Sequence, residues 1–168
     1  FDEYFGGSQD NGTWKSKTGE TASAASEYVF NIGGDGFEVI WHNTNDNLMI
    51  GGYQGNGFMR STNRGLSWVS ATSGLTGTHP FISKLANSRN LPDRIFALSS
   101  DGVFVSNNFG MNWSLTPITE KWGQGSLMDV DVSLADEDIV WAGLGMTSEL
   151  NLHVSTNGGA SFNIANNY

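Results

Sequence analysis

The sequence predicts an all-β fold, a partial arc of a β-propeller with about three and a half four-stranded blades, and three observations carry that prediction. One turn is written three times, as STNRGLSW at 61–68, SNNFGMNW at 106–113 and STNGGASF at 155–162. The similarity extends back from the turn: YFGGSQDNGTWKS at 4–16 aligns with MIGGYQGNGFMRS at 49–61, and RIFALSSDGVFVS at 94–106 aligns with the same copy. The spacing of 45 to 49 residues between copies falls where propeller blades lie. Composition agrees, because 22 Gly, 10 Phe, 6 Trp and 4 Tyr beside only 15% charged residues favour short strands and tight turns over solvent-exposed helices.

Taken in order, residues 1–32 read as the end of a blade, and 33–74, 75–123 and 124–168 as three full blades. The first segment holds two matching strand patterns around SQDNG, then SKTGETASAASEYVF, where the repeated turn has been lost. The second reads as strands at 37–42, 48–53, 57–61 and 67–70. The third reads as 81–85, 94–98, 102–106 and 112–115, with Ile95 laid over Ile50. The fourth reads as 127–133, 138–143, 150–155 and 161–164, with a longer turn between its second and third strands. NTNDN, NSRNLPD and LADED supply the Asn, Asp and Pro that turns between first and second strands require. Such a sheet is apolar on both faces and must stack on neighbours. Solenoid stacking would also bury it, but four-stranded units with aromatic signatures favour radial packing.

The repeated turn resembles the S-x-D-x-G-x-x-W pattern of Asp-box (BNR) repeats. Its residues here are Ser61, Asn63, Gly65 and Trp68, then Ser106, Asn108, Gly110 and Trp113, then Ser155, Asn157, Gly159 and Phe162. Asn stands in each copy where the family usually has Asp, and Phe162 replaces the usual Trp. The resemblance implies a parent ring of seven blades and a structural role for the box. It links the chain to secreted bacterial propellers, xyloglucan hydrolases and sortilin-type receptors. A short polar side chain can bond back to the turn, a glycine can take positive φ, and the ring can bury against an adjoining sheet.

Charge and composition exclude several classes of function. The formal net charge is −9, with 8 Lys and Arg against 17 Asp and Glu, which argues against a phosphate-tracking groove and hence nucleic acid. There is no Cys, so disulfides and thiolate chemistry are excluded. No apolar run is long enough to span a membrane. No cofactor or metal is expected; His79 precedes Pro80 without neighbouring ligands in the sequence. The four arginines, Arg60, Arg64, Arg89 and Arg94, do not read as the clustered anion site of a sialidase.

Connectivity places a candidate site on the face opposite the boxes, where second-to-third-strand turns meet the connections between blades. Those segments hold Gln9, Asp10, Asp35, Tyr53, Gln54, His79, Glu120, Trp122 and Gln124. Carboxylates beside amides and aromatic rings suit sugars. Asp10 also fits a plain turn role, and Asp35 in GGDG a cap. The leading expectation is an extracellular or cell-surface, bacterial, non-catalytic module binding glycan or protein. The alternative is a glycoside hydrolase acting on a polysaccharide, with Asp35 paired to Asp10 or Glu120. Partners expected are the remaining blades of the ring, from the same gene product or another chain, or further copies of this one.

Overall fold

The computed structural model describes residues 2–118, 128–144 and 152–165. They form fifteen strands in four antiparallel sheets. The first sheet has three strands in the order β1 (Phe5–Ser8), β2 (Gly12–Ser16) and β3 (Tyr28–Ile32). The second holds β4 (Ile40–Trp41), β5 (Met49–Tyr53), β6 (Gly57–Ser61) and β7 (Val69–Ser70). The third runs β8 (Leu85–Asn87), β9 (Ile95–Ser99), β10 (Gly102–Ser106) and β11 (Ser114–Pro117). The fourth runs β12 (Met128–Val132), β13 (Val140–Leu144), β14 (His153–Ser155) and β15 (Asn163–Ile164). Neighbours in each sheet are consecutive in sequence, so every sheet is a meander. The opening strands β4, β8 and β12 approach one another at the inner rim. This is a partial propeller arc.

Sheets pack face to face through two apolar clusters. Ile50 and Phe58 of the second sheet meet Ile95, Ala97, Phe104, Phe109 and Trp113 of the third. Phe96, Leu98 and Val103 on the other face of the third sheet meet Met128, Val130, Val140 and Phe162 of the fourth. Each fully buried large side chain contributes about 1.5–3 kcal/mol. The first junction is thinner, and combines a stack of Phe5 on Trp68 at 5.6 Å with a charged cluster. There Glu3 accepts from Arg64 at 2.8 Å and from the amide of Gly19 at 2.8 Å, and pairs with buried Lys15 at 3.4 Å.

Four readings from sequence need correction. The first unit holds a third strand where the sequence showed two matching patterns, because β3 follows the long turn that stands in place of the repeated one. The inner strands are shorter and later than their apolar residues imply: pairing begins at Ile40, and at Leu85 rather than at Phe81. Phe37 and Phe81 instead sit in the connections, with ring centroids 5.8 Å apart. Ile95 does not take the place of Ile50. The β9–β10 turn closes with Ser99 opposite Gly102, one residue shorter than the turn closed by Tyr53 and Gly57. That shift places Ile95 at the register of Met49, so Ile95 and Ile50 face each other across a junction. Finally, Trp113 and Phe162 are buried, but Trp68 is only half-buried because its neighbouring sheet is the thin first one.

Candidate functional site

The three repeated turns adopt one hydrogen-bonding scheme. Ser61 Oγ donates to Asn63 Oδ1 at 3.0 Å and accepts from the amide of Gly65 at 2.8 Å, while Asn63 Oδ1 also accepts from the amide of Ser67 at 2.9 Å. Ser106, Asn108 and Gly110 repeat this geometry, with Asn112 as the amide donor, and so do Ser155, Asn157 and Gly159, with Ser161. Gly65, Gly110 and Gly159 all have φ near +80°, at 81°, 79° and 85°. Their polar groups are used up inside the turn, which makes these turns framework.

The opposite face carries a different pattern, in which polar side chains tie one loop to the next. Asp35 Oδ1 accepts from the amide of Asp10 at 2.8 Å, and the amide of Asp35 donates to Gln54 Oε1 at 3.0 Å. Structure thus brings Asp10, Asp35 and Gln54 together across the first junction. One carboxylate oxygen of Asp35 works as a loop tie.

Asn56 performs the matching task at the next junction. It is buried at positive φ, its amide donates to Ser83 Oγ at 2.7 Å, and its side-chain nitrogen donates to the carbonyl of Leu98 at 2.7 Å. The same nitrogen lies 3.1 Å from His79 Nδ1. Burial pushes the His79 pKa below its usual 6.5, so the ring is neutral near pH 7 and its Nδ1 can accept that bond. His79 also stacks on Phe104 at 5.7 Å. Asn56 escaped the sequence reading because Asn before Gly in a hairpin looks like ordinary turn chemistry.

Tyr53 is exposed, its ring folded over Gly57, where a methyl group would collide with it. Phe81 is also exposed and lies beside the same turn, its carbonyl accepting from the amide of Gly55 at 3.1 Å. With Phe37 against it, this face presents three aromatic rings between the first and third sheets. Phe37 and Phe81 were missed because an apolar residue ahead of an apolar run reads as strand. Gln9 is exposed near this rim. Glu120, Trp122 and Gln124 lie outside the described residues, so Asp35 with Glu120 has no geometry to report.

Charges at the inner rim form a further cluster that sequence spacing did not show. Lys84 Nζ bonds Glu38 at 2.8 Å and lies 3.6 Å from Asp129 Oδ1, while Glu38 also accepts from the amide of Leu85 at 2.9 Å. Desolvation opposes the Lys84 charge, but the two carboxylates outweigh it and raise its pKa above 10.5. At the box end, a cleft of 480 Å³ lies between Asn87–Asn90 and Val132–Leu134, with Arg89 its one charged side chain. A cleft without a carboxylate is unsuited to acid–base work on a glycosidic bond. Among the described residues, no three His, Asp or Glu side chains converge as metal ligands, and no helix is long and apolar enough to cross a membrane.

Solved structures share this architecture. An ancestral GH74 enzyme is similar over 96% of this chain, with a TM-score of 0.68 and 19% identity. A GH74 enzyme of Niastella koreensis is similar over 97%, with a TM-score of 0.67 and 16% identity. YCF48, solved bound to a D1 peptide, is similar over 76%, with a TM-score of 0.51 and 12% identity. The chain spans only 22% and 28% of the two GH74 enzymes, and 42% of YCF48. No family model matches the sequence, and no curated protein does. These likenesses show a propeller fold shared with GH74 glycoside hydrolases. They also overturn the leading expectation of a non-catalytic module, since the arc is matched almost from end to end by enzymes, and the hydrolase alternative is the better supported reading.

Proposed function

We propose that this chain is an arc of a propeller glycoside hydrolase acting on a polysaccharide outside a bacterial cell. The observation that carries the proposal is the likeness of nearly the whole chain to two GH74 enzymes. The exposed face supports it chemically. Tyr53 and Phe81 offer flat apolar surface for sugar rings, while Gln9, Asp10 and Asp35 offer hydrogen-bonding groups at the rim. A polymeric substrate is met outside the cell, which supports the extracellular placement. The three repeated turns are, in this reading, Asn-bearing Asp boxes; supporting this is the use of Asn Oδ1 where a carboxylate oxygen would accept the same two bonds.

Catalysis on this fold requires two carboxyl groups, roughly 5–5.5 Å apart for retention or 6.5–9.5 Å for inversion. Asp35 paired with Asp10 or with Glu120 is the candidate, and of these Asp10 lies beside Asp35 among the described residues. The test is twofold. Affinity electrophoresis in gels containing xyloglucan or mixed-linkage glucan should retard the chain, and Phe81→Ala with Tyr53→Ala should abolish retardation. Reducing-end release by the longest polypeptide containing this arc should fall with Asp35→Asn while retardation persists. Absence of both retardation and hydrolysis across plant and bacterial polysaccharides would overturn the reading.

A further inference from the structure

His79 stands in the connection between the second and third sheets, and that connection is held from both sides. The carbonyl of Thr78 accepts from the amide of Ser100 at 3.1 Å, and the carbonyl of Phe81 accepts from the amide of Gly55 at 3.1 Å. Those two donors sit in the β9–β10 and β5–β6 turns, so His79 is fixed between them on the face that carries Tyr53. Ser83 ties the same connection to the β5–β6 turn a second time: its Oγ accepts from the amide of Asn56 at 2.7 Å and donates to the carbonyl of Tyr53 at 2.8 Å. Pro80 is buried, and the His79 ring lies on Phe104 with 30° between the planes.

A buried amide decides which nitrogen of that ring carries the proton. Asn56 is 1% exposed, and its side-chain nitrogen lies 2.7 Å from the carbonyl of Leu98. A carbonyl can only accept, so the atom facing it must be the NH2 group, and turning the amide over would set Asn56 Oδ1 against another oxygen. Asn56 Oδ1 meets no partner among the described residues, so nothing there favours the reverse orientation. The second hydrogen of the same NH2 group is within reach of His79 Nδ1, 3.1 Å away. A donor needs an acceptor, so Nδ1 is bare and the neutral ring carries its proton on Nε2. A proton on Nδ1 would turn two donors on each other, which acts in the same direction as the burial that lowers the His79 pKa. The ring is only partly buried, and its Nε2–H bonds no group among the described residues.

We propose that Asn56 sets His79 as a neutral Nε2–H donor to an oxygen of an uncharged glycan, a contact that determines specificity on the face of Tyr53 and Phe81. The inference rests on the hydrolase reading of that face and names the substrate class it takes. Tyr53 and Phe81 supply flat apolar surface beside His79. A sugar ring laid on an aromatic side chain carries its hydroxyl and ether oxygens at its edge, where a fixed donor can reach them. His79 adds no positive charge there. Asp10, Asp35 and Asp101 stand in the turns and connections of the same face, and Lys84 at the inner rim is already held by Glu38 and Asp129. An acidic polysaccharide would meet these carboxylates without an unpaired cation among the described residues of this face to offset them. Asn56 acts through His79 and is a positioning residue, whereas His79 makes the contact.

The test is long-range nitrogen–proton NMR of the imidazoles in the whole chain near neutral pH, before and after adding xyloglucan oligosaccharides. The free protein should show His79 with Nε2 protonated and Nδ1 bare, and the oligosaccharide should shift the Nε2–H signal together with those of Tyr53. Asn56→Gly keeps a residue at ease with the φ of 57°, and should release the ring into a mixture of both tautomers. His79→Phe keeps a ring on Phe104 and removes the donor, and should weaken binding about three- to tenfold. Polygalacturonate should leave the Nε2–H signal unmoved. A ring protonated on Nδ1, or His79→Phe binding as tightly as the parent chain, overturns the proposal even where Asn56→Gly does not fold. Polygalacturonate binding as well as xyloglucan oligosaccharides overturns the assignment to uncharged glycans. An oligosaccharide that shifts Tyr53 but not His79 overturns this inference alone, and one that shifts neither takes the hydrolase reading of this face with it.

Discussion

Replacing Trp113 by Ala should be among the most damaging single changes in the arc, and the structure allows its size to be compared with that of a near-identical residue. Trp113 is 4% exposed, lies against Phe58, and donates its indole N–H to the carbonyl of Ala71 at 2.8 Å. Loss of an enclosed aromatic ring costs about 3–5 kcal/mol, and the orphaned Ala71 carbonyl adds about 1 kcal/mol. Trp68 holds the same place in its own turn, but it is half-buried against the thin first sheet. Its truncation should cost roughly 1–2 kcal/mol on the scale of partial burial. Trp113→Phe should retain the ring contact and lose the hydrogen bond, for about 1–2 kcal/mol. Urea unfolding followed by far-UV circular dichroism measures all three, with m-values compared because stacked sheets can unfold in parts. If Trp68→Ala proved as costly as Trp113→Ala, the claim that the first junction is the weakest would be refuted.

Three more outcomes follow from the same geometry. Asn63→Ala removes the acceptor of two turn hydrogen bonds and should lower stability by about 1–2 kcal/mol, whereas Asn63→Asp should be neutral or better, as urea midpoints would show. Gly110→Ala combines positive φ with a collision against Ile50, and should cost about 2–5 kcal/mol in the same assay. Glu3 supplies a pH dependence. Burial alone would raise its pKa, but the bond from Gly19 and the charges of Arg64 and Lys15 prevail and lower it below 4.5. A lowered carboxylate pKa stabilises the fold above the unfolded value and loses that stabilisation as pH falls through the folded one. Glu3→Gln should therefore reduce stability at neutral pH and flatten its decline below about pH 4.5, measured as urea midpoint against pH.

Much of the arc is legible in sequence because the repeat states its own grammar. Gly57–Ser61 and Gly102–Ser106 were readable to the residue, since a turn glycine and a box serine bracket each strand. The repeated turn was legible as a turn because Ser, Asn and Gly at fixed spacing can bond within a single short loop. The inner strands were not, since Phe37 and Phe81 are apolar for a reason that periodicity cannot separate from strand burial: they form a surface pair in the connections. Asp35 was singled out as a candidate carboxylate beside Asp10; its use as an acceptor for the Asp10 backbone amide was not legible, because it depends on loops 25 residues apart in sequence. Asn56 and the Glu38–Lys84–Asp129 chain cross from sheet to sheet, and no local pattern encodes which sheets will be neighbours. Function was misjudged for a related reason. The repeated turn is scaffolding and carries no chemistry of its own, so its sequence says nothing of activity.

The shortened turn of the third sheet has a consequence for how such a chain can vary. Removing one residue between β9 and β10 slides β9 by one position and exchanges the sides to which its side chains point. The segment Ile95–Ser99 tolerates this because all five of its residues are enclosed, lying between two neighbouring sheets. Met128–Val132 has no such freedom, since its alternation of apolar residues with Asp129 and Asp131 would deliver carboxylates into the core after the same slip. Single-residue insertions and deletions are thus admissible beside strands that are apolar on both sides and forbidden beside alternating ones. Turn length in this architecture can drift in the interior of the arc, and is held fixed wherever one face of a sheet remains polar.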